Sequence, residues 1–202
     1  MGRPVYIAFE GPEGCGKSTQ ARRLADQLDA VLTRETGGTE IGQRLRDILH
    51  DTSVTDLDDH AEALIVAADR AQHLAQVVRP ALEEGRHVVS DRSVYSTLAY
   101  QGYGRGLPVE DVRRINEWAV GDTWPDLVVL LQVPADLLSE RMSRRTLDRF
   151  EAAGDDFHAR VEAGFAEMAA ADPGRWVVID ASGGKGGVTT AIREAVEERL
   201  GL

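Results

Sequence analysis

Short apolar segments alternate with longer amphipathic segments along the chain. Five short runs are rich in β-branched side chains, which is typical of strands buried on both faces; they lie at residues 5–9, 30–33, 87–90, 127–133 and 176–179. Seven longer segments repeat apolar positions at helical spacing and predict helices at residues 17–28, 41–49, 57–84, 109–120, 135–145, 157–170 and 188–200. The alternation predicts an α/β fold, a three-layer, doubly wound parallel sheet of about five strands.

The pattern favours a single domain that spans residues 1–202. No internal repeat, low-complexity segment or Pro/Ser-rich linker divides the chain, and this length suits one α/β domain. The segment 144–156 is charged, contains Gly154 and has little apolar periodicity. We therefore expect it to form a short mobile lid.

Charge and cysteine content narrow the classes of function. The formal net charge of −11 argues against a nucleic-acid partner, because phosphate backbones require extended positive surfaces. Cys15 is the single cysteine, so an internal disulfide and multi-cysteine metal sites are excluded. The longest apolar run, 127–133, is too short to cross a bilayer, and the N-terminus lacks a signal-peptide pattern. These features predict a cytoplasmic protein that does not bind membranes.

The segment between the first strand and the first helix has the pattern G-x-x-x-x-G-K-[ST] of a phosphate-binding loop, or P-loop. Its glycines let backbone N–H groups surround phosphate oxygens, and the following helix points its positive end at them. Lys17 is expected to reach the β- and γ-phosphates of ATP, and Ser18 to ligate Mg²⁺. The predicted ATP-binding residues are Gly11, Pro12, Glu13, Gly14, Cys15, Gly16, Lys17, Ser18 and Thr19.

A second motif lies at the end of the third predicted strand, where the apolar run is followed by Asp91 and Arg92. A carboxylate at this position can hold Mg²⁺ directly or through water, and an arginine can bind two phosphates at once. The alternative is a strand that ends in a solvated ion pair.

Arginines form a third cluster in this acidic chain, at positions 141, 144, 145 and 149. Such side chains can neutralise the charge that develops on a transferred phosphoryl group. The alternative is a solvated helix end, in which the arginines pair with Glu140, Asp148 and Glu151.

Taken in order, the motifs resemble those of the bacterial thymidylate kinases, which have the nucleoside monophosphate kinase fold. The P-loop is followed by T-R-E-T-G-G-T at 33–39, A-D-R-x-x-H at 68–73, D-R-S-V-Y-S-T-L-A-Y-Q-G at 91–102 and D-R-F-E at 148–151. Residues 157–165 continue the family pattern. The resemblance implies transfer of phosphate from ATP to dTMP, with ATP as co-substrate and Mg²⁺ as cofactor, in an enzyme that is usually a homodimer.

The same resemblance implies roles for individual residues in binding dTMP. Arg92 and Arg46 would contact the acceptor phosphate, Arg70 and Gln101 the thymine edge, and Glu13 the sugar, whereas Tyr100 would exclude a 2′-hydroxyl. The implied acceptor site comprises Glu13, Arg46, Val66, Arg70, Arg92, Thr97, Tyr100 and Gln101.

The resemblance also implies which basic residues take part in catalysis and which two side chains supply oxygen ligands to Mg²⁺. Gly14 occupies a position that carries arginine in one subgroup of the family, so the resemblance implies that the catalytic arginine comes from the lid. The implied catalytic residues are Lys17, Arg92, Arg145 and Arg149, and the implied metal ligands are Ser18 and Asp91.

Two positions depart from the family pattern. Thr36 replaces a proline, and Val66 replaces a phenylalanine that normally stacks on thymine. Kinases of other nucleoside monophosphates or of deoxynucleosides therefore remain alternatives, as does a P-loop protein that binds nucleotide without catalysis. In the same region, the apolar face of 57–84 fits either a dimer interface or the core.

Overall fold

The computed structural model describes residues 3–142 and 148–202. Five parallel strands form one sheet in the order β2-β3-β1-β4-β5. The strands are β1 (Tyr6–Glu10), β2 (Val31–Arg34), β3 (Val88–Asp91), β4 (Leu127–Gln132) and β5 (Trp176–Asp180). All five predicted strands are confirmed, with ends that shift by at most one residue, and so is the predicted α/β fold.

Helices cover both faces of the sheet. The α-helices are α1 (Lys17–Leu28), α2 (Glu40–His50), α3 (Asp59–His73), α4 (Arg79–Glu83), α5 (Val94–Thr97), α6 (Val109–Val120), α7 (Ala135–Met142), α8 (Asp155–Ala171) and α9 (Lys185–Leu200). None of the described helices is long and apolar enough to span a bilayer.

Polar side chains set the start of several helices. Thr39 accepts a hydrogen bond from the backbone N–H of Gly42 and begins α2, and Asp58 accepts from the N–H groups of His60 and Ala61 and begins α3. These residues satisfy donors that have no partner inside the first helical turn. The cap at Asp58 explains why α3 begins two residues after the start predicted from apolar spacing.

Two π-helical segments distinguish the structure from the sequence prediction. The predicted helix 57–84 contains the π segment Leu74–Val78, which is followed by Pro80, a residue without a backbone N–H to donate. Residues 94–104 received no element from the sequence, yet they form α5 and the π segment Leu98–Gly104. Their β-branched, aromatic and glycine content disfavours helix locally, so tertiary packing supplies the stability.

The sheet separates two hydrophobic cores. On one side α5, the Leu98–Gly104 segment and α8 pack on side chains such as Tyr6, and on the other side α1 and α9 pack on side chains such as Ile7. Because the strands are parallel, the carboxyl ends of β1, β2 and β3 meet at one edge of the sheet. Ligands bind at this edge in doubly wound folds.

Candidate active site

The P-loop connects β1 to α1 and is shaped by glycines. Gly11 and Gly16 have positive φ angles of 138° and 102°, and a Cβ atom on Gly11 would lie 2.6 Å from the carbonyl oxygen of Leu131. Only glycine fits such a position without strain. The buried ammonium of Lys17 donates hydrogen bonds to the carbonyl oxygens of Gly11, at 3.0 Å, and Pro12, at 2.8 Å.

Ser18 and Asp91 lie side by side at the ends of α1 and β3. The hydroxyl of Ser18 donates to Oδ2 of Asp91 at 2.5 Å, so two hard oxygen ligands lie together next to the P-loop. Among residues 3–138 and 148–202, whose side chains the structure describes, no cluster of three or more His, Cys, Asp or Glu could hold a metal. Mg²⁺ fits a site with few protein ligands, because it retains waters and binds substrate phosphates.

Arg92 is held in a fixed position between the P-loop and the acceptor side of the cleft. Its φ angle is 76°, and its guanidinium donates to Ser96 Oγ at 2.8 Å, to Tyr100 Oη at 3.1 Å and to the carboxylate of Glu13. The Arg92 guanidinium beside Glu13 holds the pKa of that carboxyl well below its usual range. Arg92 and Glu13 therefore form a charged pair at the junction of the two halves of the site.

Glu10, which the sequence analysis did not single out, anchors the turn that carries Arg92. Its fully buried carboxylate accepts hydrogen bonds from the backbone N–H groups and the hydroxyls of Ser93 and Ser96, at 2.6–3.2 Å. Burial raises the pKa of Glu10. The available signal was an acid at the end of an apolar strand immediately before the P-loop.

The cleft beside the P-loop has a volume of about 360 Å³. All eight residues of the predicted acceptor site line it, together with Lys17, Ser18 and Asp91. Residues to which the sequence analysis assigned no role of their own also line it, namely Arg34, Glu35, Leu49, His50, Ser93, Ser96 and Phe150. The structure thus brings the predicted donor and acceptor residues into one cavity.

Arg70 is buried at the base of this cleft. Its Nε donates to Glu35 at 2.8 Å, Nη2 donates to the carbonyl oxygen of Ser93 at 3.1 Å, and Nη1 donates to Asn116. The other oxygen of Glu35 contacts Nδ1 of His73 at 2.8 Å. Burial would raise the pKa of Glu35, but the charge of Arg70 and the hydrogen bond to His73 outweigh it, so the pKa is lowered.

The loop that contains Thr36 joins the phosphate side to α3. The peptide bond between Glu35 and Thr36 is cis, and Nη1 of Arg46 donates to the carbonyl oxygen of Thr36 at 3.2 Å. The N–H of Gly37 donates to Oδ1 of Asp69 at 3.0 Å. The loop is therefore held by α2 through Arg46 and by α3 through Asp69.

Val66, Thr97 and Gln101 lie at the base-binding end predicted from the sequence. Val66 is buried and lines the cleft, as does Thr97, whose buried hydroxyl has no hydrogen-bond partner within the described part of the chain. The amide of Gln101 donates to Glu62 at 2.8 Å. Phe150 adds an aromatic ring, 6.0 Å from the ring of Tyr100 and edge-on to it.

The described part of the predicted lid contacts α2 and α3. Nε of Arg149 donates to the carbonyl oxygen of Leu49 at 2.9 Å, and its Nη2 donates to Glu62. Asp148 contacts His50 Nδ1 at 2.7 Å; although burial raises the pKa of Asp148, this hydrogen bond and others lower it overall. Arg149 does not line the cleft. Arg141 belongs to α7, and Arg144 and Arg145 lie outside the described residues.

Comparisons with known proteins point to one family. The sequence model of the family described as thymidylate kinase matches residues 9–192. The chain is 44% identical to the thymidylate kinase of Pelotomaculum thermopropionicum, over 96% of this chain and 94% of the relative. It is also 44% identical to the thymidylate kinase of Bifidobacterium longum (strain NCC 2705), over 96% and 98%. The crystal structure of thymidylate kinase from Ehrlichia chaffeensis superposes with a TM-score of 0.79 at 30% identity, covering 97% of this chain and 99% of that chain.

Proposed function

Because the chain belongs to the thymidylate kinase family and so phosphorylates dTMP, we propose that the cleft described above is where it transfers phosphate from ATP to dTMP. The family generally uses ATP with Mg²⁺. The observation that carries the proposal is the single cavity that unites the P-loop with all eight predicted acceptor residues. A protein that only binds a nucleotide needs no acceptor site beside its P-loop.

On the donor side, the P-loop holds the phosphates of ATP. Lys17 leaves the carbonyl oxygens that it contacts here and pairs with the β- and γ-phosphates, while loop N–H groups bind phosphate oxygens. Ser18 and Asp91 would hold Mg²⁺, the latter directly or through water. When bound, the metal supplies charge neutralisation at the phosphates.

On the acceptor side, Arg92 and Arg46 bind the phosphate of dTMP. The base is contacted by Arg70, Thr97 and Gln101, and the sugar is faced by Glu13 and Tyr100. Phosphoryl transfer passes through a loose transition state, so alignment and charge neutralisation contribute more than a strong base. We assign no general base. Arg145 and Arg149 act from the lid, which on closing excludes water from the transferred phosphate.

The assembly proposed for this single kinase domain is a homodimer. Apolar side chains are exposed on three neighbouring helices: Ile41 and Ile48 on α2, Leu64 on α3, and Trp118 on α6, which is 89% exposed. Large exposed apolar side chains on helices that pack together are a feature of interaction surfaces in soluble proteins. Cytoplasmic location remains a prediction from the single cysteine.

A substrate panel tests the function. Purified protein is given ATP, Mg²⁺ and one of dTMP, dUMP, dCMP, dGMP, dAMP or thymidine, and ADP release is measured. We expect the highest kcat/KM with dTMP, because Arg70 and Gln101 face the base. Higher kcat/KM with another acceptor would contradict the assignment, and ADP release that no acceptor accelerates would show that the chain only hydrolyses ATP.

A further inference from the structure

The carboxylate of Glu62, on α3, gathers hydrogen bonds from three side chains, although it is fully buried. Oε1 accepts from Nε2 of Gln101 at 2.8 Å and from Nε of Arg105 at 3.2 Å. Oε2 accepts from Nη2 of Arg105 at 3.1 Å and from Nη2 of Arg149. Each oxygen thus accepts two hydrogen bonds, which is close to its full capacity.

This arrangement determines which way round the side-chain amide of Gln101 lies. A carboxylate that already accepts from guanidinium groups can only accept, so the amide must turn its NH₂ group toward Glu62. The carbonyl oxygen Oε1 is then on the opposite side of the amide. Gln101 lines the cleft, and the hydrogen bond that its side chain makes to the described residues is the one that Nε2 donates to Glu62.

Glu62 also stands in register with the base-binding face of α3. Glu62, Val66 and Arg70 are spaced four residues apart and lie above one another on the helix, and Val66 and Arg70 line the cleft. The amide of Gln101 therefore contacts the same face of α3 that supplies Val66 and Arg70 to the cleft.

We propose that Glu62 is a positioning residue that presents the carbonyl of Gln101 to the base and thereby selects a base that carries a ring N–H. Thymine and uracil offer a donor at N3, whereas cytosine offers an acceptor lone pair there, which would face another lone pair. The inference rests on the proposed function and assigns base selection within that same site. A site built to hydrogen-bond one group rejects an analogue that lacks it, because buried polar atoms are left unpaired.

A purely structural role for Glu62, as counter-ion of Arg105 and Arg149, makes a different prediction. In that case, removing the negative charge would reduce stability and would change turnover of every acceptor alike. The ratio of activities with different bases distinguishes the positioning role from the structural role, because this ratio changes only if the amide of Gln101 changes its orientation.

The test compares Glu62→Gln with Arg105→Met in the full chain, and measures kcat/KM for dTMP and dCMP. The amide that Glu62→Gln introduces can donate as well as accept, so the side-chain amide of Gln101 is free to rotate by about 180° and exchange its NH₂ group and its oxygen. We expect the ratio of dTMP to dCMP kcat/KM to fall at least about tenfold, mainly through KM. Arg105→Met removes a comparable ion pair but leaves the contact between Glu62 and Gln101, and its ratio should stay within about twofold of wild type.

An unchanged ratio in a folded Glu62→Gln protein overturns the role of Glu62 while the proposed function stands. A wild type that does not use dTMP refutes the proposed function and this inference together. Should Glu62→Gln fail to fold, a crystal structure of the wild type with dTMP decides. N3 of the base within about 3.2 Å of the Gln101 amide, with the Glu62 contact kept, supports the proposal, and N3 away from that amide overturns it.

Discussion

Val66 shows how much one side chain can contribute at the base-binding end of the cleft. It is buried on α3, four residues before Arg70, so a base whose edge meets Arg70, as proposed, would have its plane close to Val66. A valine contributes apolar contact but no aromatic face. Stacking on an aromatic ring contributes roughly 1–3 kcal/mol per base, part of which this site lacks unless Phe150 supplies a ring.

Val66→Phe should therefore strengthen binding of dTMP. We expect the dissociation constant to fall by roughly three- to tenfold, which is less than the full stacking contribution because a larger ring must fit a site built around valine. Titration calorimetry measures the change. Val66→Ile, which adds bulk without a ring, is the matched control and should gain little; equal gains in both variants would show that stacking is not involved.

The residues that the P-loop pattern and the family resemblance singled out, such as Lys17, Arg92 and Gln101, are those proposed to contact phosphates or base, and they stand in short motifs along the chain. Glu10 and Glu62 were missed for a physical reason. Each binds partners that are distant in sequence, and only the folded backbone brings those partners together. The same holds for the engagement of Arg149 with α3 rather than with the cleft.

At the level of elements, α3 links the base site to the loop 35–39. Asp69 accepts the N–H of Gly37 through Oδ1, while its Oδ2 is buried without a partner among the described residues. Burial raises the pKa of Asp69, and Glu35 adds to the effect, while the Gly37 N–H, His73 and Arg70 oppose it. A group whose pKa is raised in the folded state contributes fully to the free energy of unfolding below its unfolded pKa. That contribution is lost as the pH rises through its folded pKa.

Asp69→Asn should remove this loss and keep the hydrogen bond to Gly37. The free energy of unfolding of the variant, relative to wild type, is expected to rise as the pH increases above about 4, the ordinary pKa of an aspartate. Urea denaturation at several pH values measures it. Asp26→Asn, at an exposed position of α1, is the control and should give a constant difference. A relative stability that falls as pH rises would show that the charge of Asp69 stabilises the fold.

The lid segment is the second element whose role can be measured. In this structure Arg149 bridges the lid to Glu62 and to the end of α2, whereas the proposed mechanism requires it near the phosphates after closure. We expect Arg149→Ala to lower kcat at least about tenfold and to change the KM for dTMP much less, as for an interaction made chiefly in the transition state. Steady-state kinetics decides; an effect confined to KM would leave Arg149 as an anchor only.

The order and type of the elements were predictable because buried parallel strands and amphipathic helices have distinct apolar periods. The helical segment 94–104 was not, since its residues favour other conformations locally and the carboxylate of Glu10 fixes its first turn. Such tertiary contacts override the local conformational preference of the residues.

At the scale of the whole molecule, the exposed apolar side chains of α2, α3 and α6 predict the dimer interface. Leu64→Glu places a charge in this surface and should weaken dimerisation at least about thirtyfold. Sedimentation velocity over a range of concentrations measures it. Val178→Glu changes an exposed apolar residue of β5, outside the surface, and should leave the dimer intact. A Leu64→Glu protein that dimerises like wild type would exclude this interface.

The sequence alone left open whether the apolar face of 57–84 belongs to the core or to an interface. The structure buries Val66 and leaves Leu64 54% exposed, so only part of this face belongs to the core. Residues two apart on a helix point to nearly opposite sides, so only the packing of α3 against its neighbours could assign them.

The distribution of charge around the cleft governs how an anionic substrate arrives. The chain has 23 basic and 34 acidic residues, yet the described lining of the cleft includes Lys17, Arg34, Arg46, Arg70 and Arg92 against four acids. A nucleotide in solution therefore meets net repulsion from the molecule as a whole. Within a Debye length, about 8 Å at physiological ionic strength, the nearby cations dominate. Diffusional encounter is thus productive only for trajectories that already approach the mouth of the cleft.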